Sequence, residues 1–190
     1  MGNTPVPAVN GQGHTIKKGL TYSPATNPPT LVSSIFQEIA RGSAKPKGIP
    51  NRLLYRDDAC VIFMAYKGES KTHLLVVPNR IVKTWVDLVA EGLGTSNVPL
   101  PELQGKALLD HMVAKGQEYA EAGPDNEFRI AKEHMQMGFH SPPFNSIDHL
   151  HLHVLDRSKW RSDGKKKWKF PQHIPTPWFR TVDDVIAKFG

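Results

Sequence analysis

Thiols are nearly absent from this chain of 190 residues, in which Cys60 stands alone. One cysteine excludes an internal disulfide and any zinc knuckle built on cysteine pairs. It lies in the apolar run Cys60-Val61-Ile62-Phe63 and reads as buried core. It also fits a reducing compartment, so a cytoplasmic or nuclear location is expected. Long hydrophobic stretches are missing. No run approaches the roughly 18 apolar residues of a membrane-spanning helix, and no membrane partner is expected. The opening residues lack the basic-then-apolar order of a secretory leader. Val6 stands where a myristoylation pattern wants Ser or Thr. No internal repeat is visible.

Acidic residues are scarce in one stretch. Between Arg157 and Lys169 there are seven basic residues and one acid, Asp163. That local surplus matches the formal net charge of the whole chain, +6, so the remainder is close to neutral. Trp160, Trp168 and Phe170 are interleaved with these cations in a basic loop at 157–170. Such a segment suits a phosphorylated ligand or a nucleic-acid backbone with a base stacked on an aromatic ring. A solvated surface loop is the plainer alternative.

Residues 1–29 carry five prolines and few large apolar residues, which reads as a disordered or loosely packed tail. One domain is expected over 30–190. A short helix, capped by Thr30 or Ser33, carries Ile35, Phe36, Ile39 and Ala40, and Gly42 stops it. Strands are expected over 52–56, 59–66 and 72–77, the last ended by Pro78. Helices follow over 82–91 and 101–122, with Gly123 just beyond the second. The imperfect alternation over 128–138 reads as a strand, and 147–155 is the clearest strand of all. A final short helix covers 181–189. Hairpin-ordered strands followed by helices and further strands imply an α+β fold with an antiparallel sheet of about five strands, two main helices and a short C-terminal helix.

Three of the nine histidines stand at 149, 151 and 153. On a strand these positions share one face, while Leu150, Leu152 and Val154 face the other way. Alternate histidines on a strand are a known zinc arrangement. They also suit phosphate chemistry, in which one imidazole attacks and its neighbours stabilise charge. A cluster on a solvated face is the third explanation, and spacing alone leaves all three open.

The stretch His149-Leu150-His151-Leu152-His153-Val154-Leu155 matches the pattern His-φ-His-φ-His-φ-φ, with φ apolar. By it the chain resembles the histidine-triad superfamily. The likeness is greatest to the eukaryotic adenosine-phosphoramidase-like nucleotide-binding branch, which carries a loop like Gly138-Phe139-His140-Ser141-Pro142-Pro143-Phe144. Thr72-His73-Leu74-Leu75-Val76-Val77-Pro78 resembles another strand of that family, and Ile35-Phe36 with Ile39 resembles its opening helix. The resemblance implies a covalent nucleotidyl intermediate on His151, formed from a nucleoside 5'-phosphoramidate or related adenylate conjugate. It implies that His149 supports the pair, that His153 and Ser146 donate to phosphate oxygens, and that His73 orders the site. It implies a purine nucleotide ligand, with its base against Ile35, Phe36, Ile39, Phe63 and Leu75, and a homodimer. Each of those five apolar residues also reads as plain core. His73 alone reads as an ordinary half-buried histidine, Ser146 as a turn residue and His140 as a shaper of its loop. His14, His111, His134 and His173 read as surface or packing residues.

Ala65 and the basic segment depart from the family. Ala65 stands where many relatives keep an acid for the ribose hydroxyls. Ser34 and Gln37 stand where some relatives have zinc-binding cysteines, so no metal and no other cofactor is expected. The basic segment resembles that of the aprataxin branch, which removes AMP from adenylated DNA ends. That branch usually adds a zinc finger, for which one cysteine leaves no material. Nucleotide binding without turnover is a further reading, which Ala65 leaves open.

Overall fold

The computed structural model describes residues 35–48, 53–66, 68–123, 128–160, 169–171 and 176–190. The tail at 1–29, the caps Thr30 and Ser33, His14, His173 and most of the basic loop lie outside the described residues. Within them the chain runs α1 (Ile35–Arg41), β1 (Leu53–Arg56), β2 (Cys60–Met64), β3 (His73–Pro78), α2 (Trp85–Ala90), α3 (Gly105–Ala122), β4 (Met135–His140), β5 (Leu152–Asp156), β6 (Phe179–Thr181) and α4 (Val182–Ile186). The strands form one antiparallel sheet in the order β1-β2-β3-β5-β4-β6. The architecture is α+β, and its sixth strand is the three-residue β6, too short to carry a period-2 signal. No helix among the described residues is long and apolar enough to cross a membrane.

The pleat sorts side chains to two faces. Ile62, Met64, Leu74, Val76, Leu152 and Val154 join the larger core with Leu108, Leu109 and Met112 of α3. Gly116 lets that helix approach closely: a Cβ there would lie 3.0 Å from Val76 Cγ2 and 3.2 Å from Val154 Cγ2. On the opposite face Val61, Phe63, Leu75 and Val77 pack against Phe36, Ile39 and Ala40 of α1. Arg56 ties the end of α1 to β1 by donating to the carbonyls of Ala40 (2.7 Å) and Ile39 (3.0 Å).

Asp57, in the β1–β2 turn, is a hydrogen-bond hub. Its Oδ1 accepts from the N–H groups of Ala59 (2.8 Å) and Cys60 (2.7 Å). Its Oδ2 accepts from Tyr55 Oη (2.9 Å) and His111 Nε2 (2.8 Å). Burial pushes this carboxyl up, but the donors together outweigh it and hold it below its ordinary value. His111 thus packs α3 onto the turn. Asp57, Cys60 and His111 bring three ligand-type atoms within 4.8 Å of one another. The carboxylate is fully engaged by donors, and burial pushes the Cys60 thiol up, so the group reads as a fold staple.

Boundaries differ from the sequence expectation, most in three places. The 101–122 helix starts at Gly105, after a 3-10 turn over Leu100–Glu102. The strand expected over 128–138 is β4, shifted to Met135–His140 behind a turn at Lys132–His134. The strand expected over 147–155 begins at Leu152, because its pairing with β3 stops there. The β3–β5 ladder closes with Val76 opposite Leu152, and Pro78 has no N–H to extend it. Leu150 instead donates to the Val82 carbonyl, at 2.7 Å.

Gly138 is opposite His153 in the sheet, and a Cβ there would fall 2.3 Å from the Arg180 carbonyl and 2.6 Å from the Phe179 ring. Gly138→Ala is therefore expected to push β6 from the sheet edge and lower stability by about 1–3 kcal/mol. Denaturant unfolding checks this, and an unchanged midpoint would refute the packing described.

Candidate active site

Five histidines converge where β3, β4 and β5 meet. His73 opens β3, His140 closes β4, His153 lies within β5, and His149 and His151 lie on the bend leading into it. Only His153 of the triad lies in the β3–β5 ladder. Leu150, Leu152 and Val154 do face the α3 core. The rings of His151 and His153 stand edge to face with centroids 4.8 Å apart, and His140 meets His153 at the same distance.

The bend gives His151 its chemistry. Its Nδ1 lies 2.7 Å from the carbonyl of His149. A carbonyl only accepts, so Nδ1 carries the proton and Nε2 the free lone pair. His149 Nε2 donates in the same way to the Pro78 carbonyl at 3.0 Å. His153 Nδ1 is 2.8 Å from His73 Nε2, and the Glu69 N–H donates to His73 Nδ1 at 3.2 Å. His149 Nδ1 and His153 Nε2 are buried and have no partner among the described residues.

Burial sets the protonation state. It pushes His149 and His151 from the ordinary 6.5 down to about 4, against the opposing pull of the carbonyl bonds. Burial, with the neighbouring imidazoles, holds His153 well below its ordinary value, and burial lowers His140 also. All four are neutral at neutral pH. A neutral imidazole with one tautomer fixed is a competent nucleophile, because its attacking nitrogen needs no prior deprotonation.

The two sides of the cluster differ. On one, the Phe36 ring stands edge-on to His151 at 5.0 Å and meets Phe63 at 5.5 Å. Ile39 and Leu75 are in the same apolar group, and Ile35 and Ala65 pack at its border. The five residues expected to hold a base are thus brought together beside His151, with no acid at position 65. On the other side Phe170 packs against His73 (5.6 Å), His140 (5.1 Å) and His153 (5.3 Å), and Phe179 backs it at 5.3 Å. Gln136 Nε2 holds this segment by donating to the carbonyls of Phe170 (3.0 Å) and Pro171 (2.9 Å). Ser146 is exposed in the loop before His149.

His140, Phe170 and Phe179 are site neighbours that the sequence reading did not select. His140 had a readable signal: the alternation Met135, Met137, Phe139 runs past residue 138 and places His140 on the face of Gly138, opposite His153. Phe170 and Phe179 had none, because only long-range packing returns them to β5. His134 is exposed at the start of β4, away from the cluster.

The family model described as "Scavenger mRNA decapping enzyme C-term binding" matches residues 33–167. The chain is 31% identical over 121 residues to a bifunctional adenosine 5'-phosphosulfate phosphorylase/adenylylsulfatase of Arabidopsis thaliana, covering 64% of this chain and 68% of that protein. It is 31% identical over 128 residues to an adenosine 5'-monophosphoramidase of Mus musculus, covering 67% and 66% respectively. In fold it is similar to the aprataxin ortholog Hnt3 solved in complex with DNA. There the TM-score is 0.51 at 19% identity, over 77% of this chain and 70% of that one.

Burying neutral imidazoles couples stability to pH. The unfolded chain binds protons at His149 and His151 near 6.5, the folded chain only near 4. Their contribution is fully present above 6.5 and is lost as pH falls toward about 4. Each adds a slope of up to about 1.4 kcal/mol per pH unit. Denaturant unfolding at a series of pH values is expected to show that decline, and a flat profile would contradict the burial.

Proposed function

Because the chain belongs to the histidine-triad superfamily, in the family described as scavenger mRNA decapping enzyme C-term binding, we propose that it is a nucleotide hydrolase or transferase that works through a covalent nucleotidyl-histidine on His151. The observation that carries this reading is the His151 Nδ1–H···O=C bond to His149 at 2.7 Å, which aims an unprotonated Nε2 away from the backbone. In the proposed reaction Nε2 attacks the phosphorus of a nucleoside 5'-phosphoramidate or related adenylate conjugate. The bond to the leaving group breaks, and the amine of a phosphoramidate departs with a proton taken from solvent, which the second step returns. Water then attacks the phosphorus bound to His151, releasing the nucleoside monophosphate, a proton and the neutral imidazole.

His153 and Ser146 are the proposed donors to the phosphate oxygens, and His149 the support that fixes the tautomer of His151. His73 orders His153. The base is proposed to lie against Phe36, Phe63, Ile35, Ile39 and Leu75, which supply an apolar wall beside the nucleophile. The relatives named above are an adenosine 5'-monophosphoramidase and a phosphorylase/adenylylsulfatase of adenosine 5'-phosphosulfate, which supports an adenylate as the donor half of the substrate.

A second reading, removal of AMP from adenylated nucleic-acid ends, is favoured by the anchors of the basic segment. Trp160 bridges to Ser70, and Lys169 pairs with Glu69 at 3.3 Å. Both ends of that cationic stretch are therefore fastened next to His73 and His153.

Steady-state hydrolysis of an adenosine phosphoramidate by wild type and by His151→Ala tests the main reading. We expect a loss of about a thousandfold or more in the variant. Intact mass of quenched wild type should show one added nucleotidyl group. Full turnover by His151→Ala would remove the mechanism. Changing Lys165, Lys166 and Lys167 to Gln separates the two readings. Under the second, it should slow release of AMP from adenylated DNA and flatten its salt dependence, while the phosphoramidate reaction is untouched.

A further inference from the structure

A chain of hydrogen-bonded imidazoles takes its direction from the group at its end. Here that group is a peptide N–H, which has only one polarity. The main-chain N–H of Glu69 meets His73 Nδ1 at 3.2 Å. A protonated Nδ1 would set two donors against each other, so Nδ1 holds a lone pair and the proton of His73 sits on Nε2. That proton faces His153 Nδ1 at 2.8 Å. His153 Nδ1 accepts it, which leaves the proton of a neutral His153 on Nε2. This Nε2 is the buried nitrogen without a partner among the described residues.

The peptide that starts the chain is held in place from several sides. A Cβ on Gly68 would lie 2.8 Å from His73 Cβ and 3.2 Å from its Nδ1, so only glycine admits so close an approach. The Gly68 N–H donates to the Ala65 carbonyl at 3.2 Å. Lys169 Nζ pairs with the Glu69 carboxylate, and the Lys71 N–H donates to the Lys159 carbonyl at 2.7 Å. The segment before β3 is thus fastened both to β2 and to the two ends of the basic loop.

We propose that the Gly68–Glu69 peptide is a positioning group that fixes the donor direction of the His73–His153 pair, so that His153 meets the substrate as an N–H donor and takes there an oxygen acceptor such as a non-bridging phosphate oxygen. The proposal rests on the reading that these histidines handle a phosphoryl group. It adds a residue-level reason why His153 donates and does not compete with His151 as a nucleophile. It also makes the orientation of the site depend on a segment that the basic loop helps to hold.

The first test needs no substrate. Long-range proton–nitrogen NMR of the full chain, with 15N-labelled histidine at about pH 7, reads each tautomer directly. His73 and His153 are both expected as neutral Nε2–H forms. A His73 protonated on Nδ1, or present as imidazolium, overturns the proposal in wild type alone. Glu69→Pro removes the N–H and Glu69→Gln keeps it. The proline variant is expected to show mixed tautomers at His73 and His153 and a kcat reduced by about 10- to 100-fold, as for other groups that orient an active imidazole, with a smaller change in KM. The glutamine variant should keep the wild-type tautomers, and unchanged tautomers in Glu69→Pro overturn the proposal. Expected tautomers without phosphoramidate turnover would count against the hydrolase reading alone. Wrong tautomers with full turnover would count against the positioning role alone.

Discussion

Pro78 has no N–H to offer, and the ladder between β3 and β5 stops with Val76 opposite Leu152. The rest of the site follows from that stop. Freed from the ladder, residues 149–151 bend instead of pleating. The bend turns the His149 carbonyl toward His151 Nδ1, and it lets the Pro78 carbonyl receive His149 Nε2. Had the strand continued, those carbonyls would be spent on a neighbouring strand and the imidazoles would have no main-chain acceptors to fix their tautomers. One missing donor in β3 thus sets the protonation pattern of two histidines on the segment leading into another strand.

Neutrality is the second condition. Four imidazoles within ring-contact distance would repel one another if charged, and the interior disfavours the charged form in any case. Aromatic and aliphatic walls on both sides supply the desolvation: Phe36 against His151, and Phe170 against His73, His140 and His153. The same burial lowers the pKa values of His140, His151 and His153. Burial therefore does two things at once, since it keeps a lone pair available on His151 and leaves His153 Nε2 enclosed with no partner among the described residues. Under the proposed function a phosphate oxygen would be the acceptor for that nitrogen.

Membership of the histidine-triad superfamily and the local geometry address different questions. The family match identifies the scaffold and the class of nucleotide chemistry found among its members. The hydrogen bonds around His149, His151, His153 and His73 say how these particular residues are oriented. Ala65, packed at the border of an apolar cluster, offers no acceptor to a ribose. Under the proposed function, a sugar would have to be held differently from the way it is expected to be held in relatives with an acid at that position.

Much of this was legible in the sequence because it follows from local pattern. The histidine spacing, the apolar residues between, the proline that ends β3 and the glycine that ends α3 all act within a few residues. The base-wall set Ile35, Phe36, Ile39, Phe63 and Leu75 was legible only through resemblance, since each residue alone reads as core. Other features were illegible because they depend on register and on distant segments. Where β5 begins was decided by its partner strand, which moved His149 and His151 out of the sheet. The alternation over 135–139 gave the face of His140, but only the pairing of Gly138 with His153 brought it to the site. Phe170 joined the site through Gln136, 34 residues away. The tautomer of His73 was decided by a peptide N–H that reaches it only because Gly68 has no side chain. The sequence by itself determined that His149, His151 and His153 would stand together, because alternation and chain-local breakers are written in neighbouring residues. Tertiary structure alone decided which nitrogen of each ring carries the proton, because that depends on carbonyls and N–H groups that only the folded chain brings within 3 Å or so.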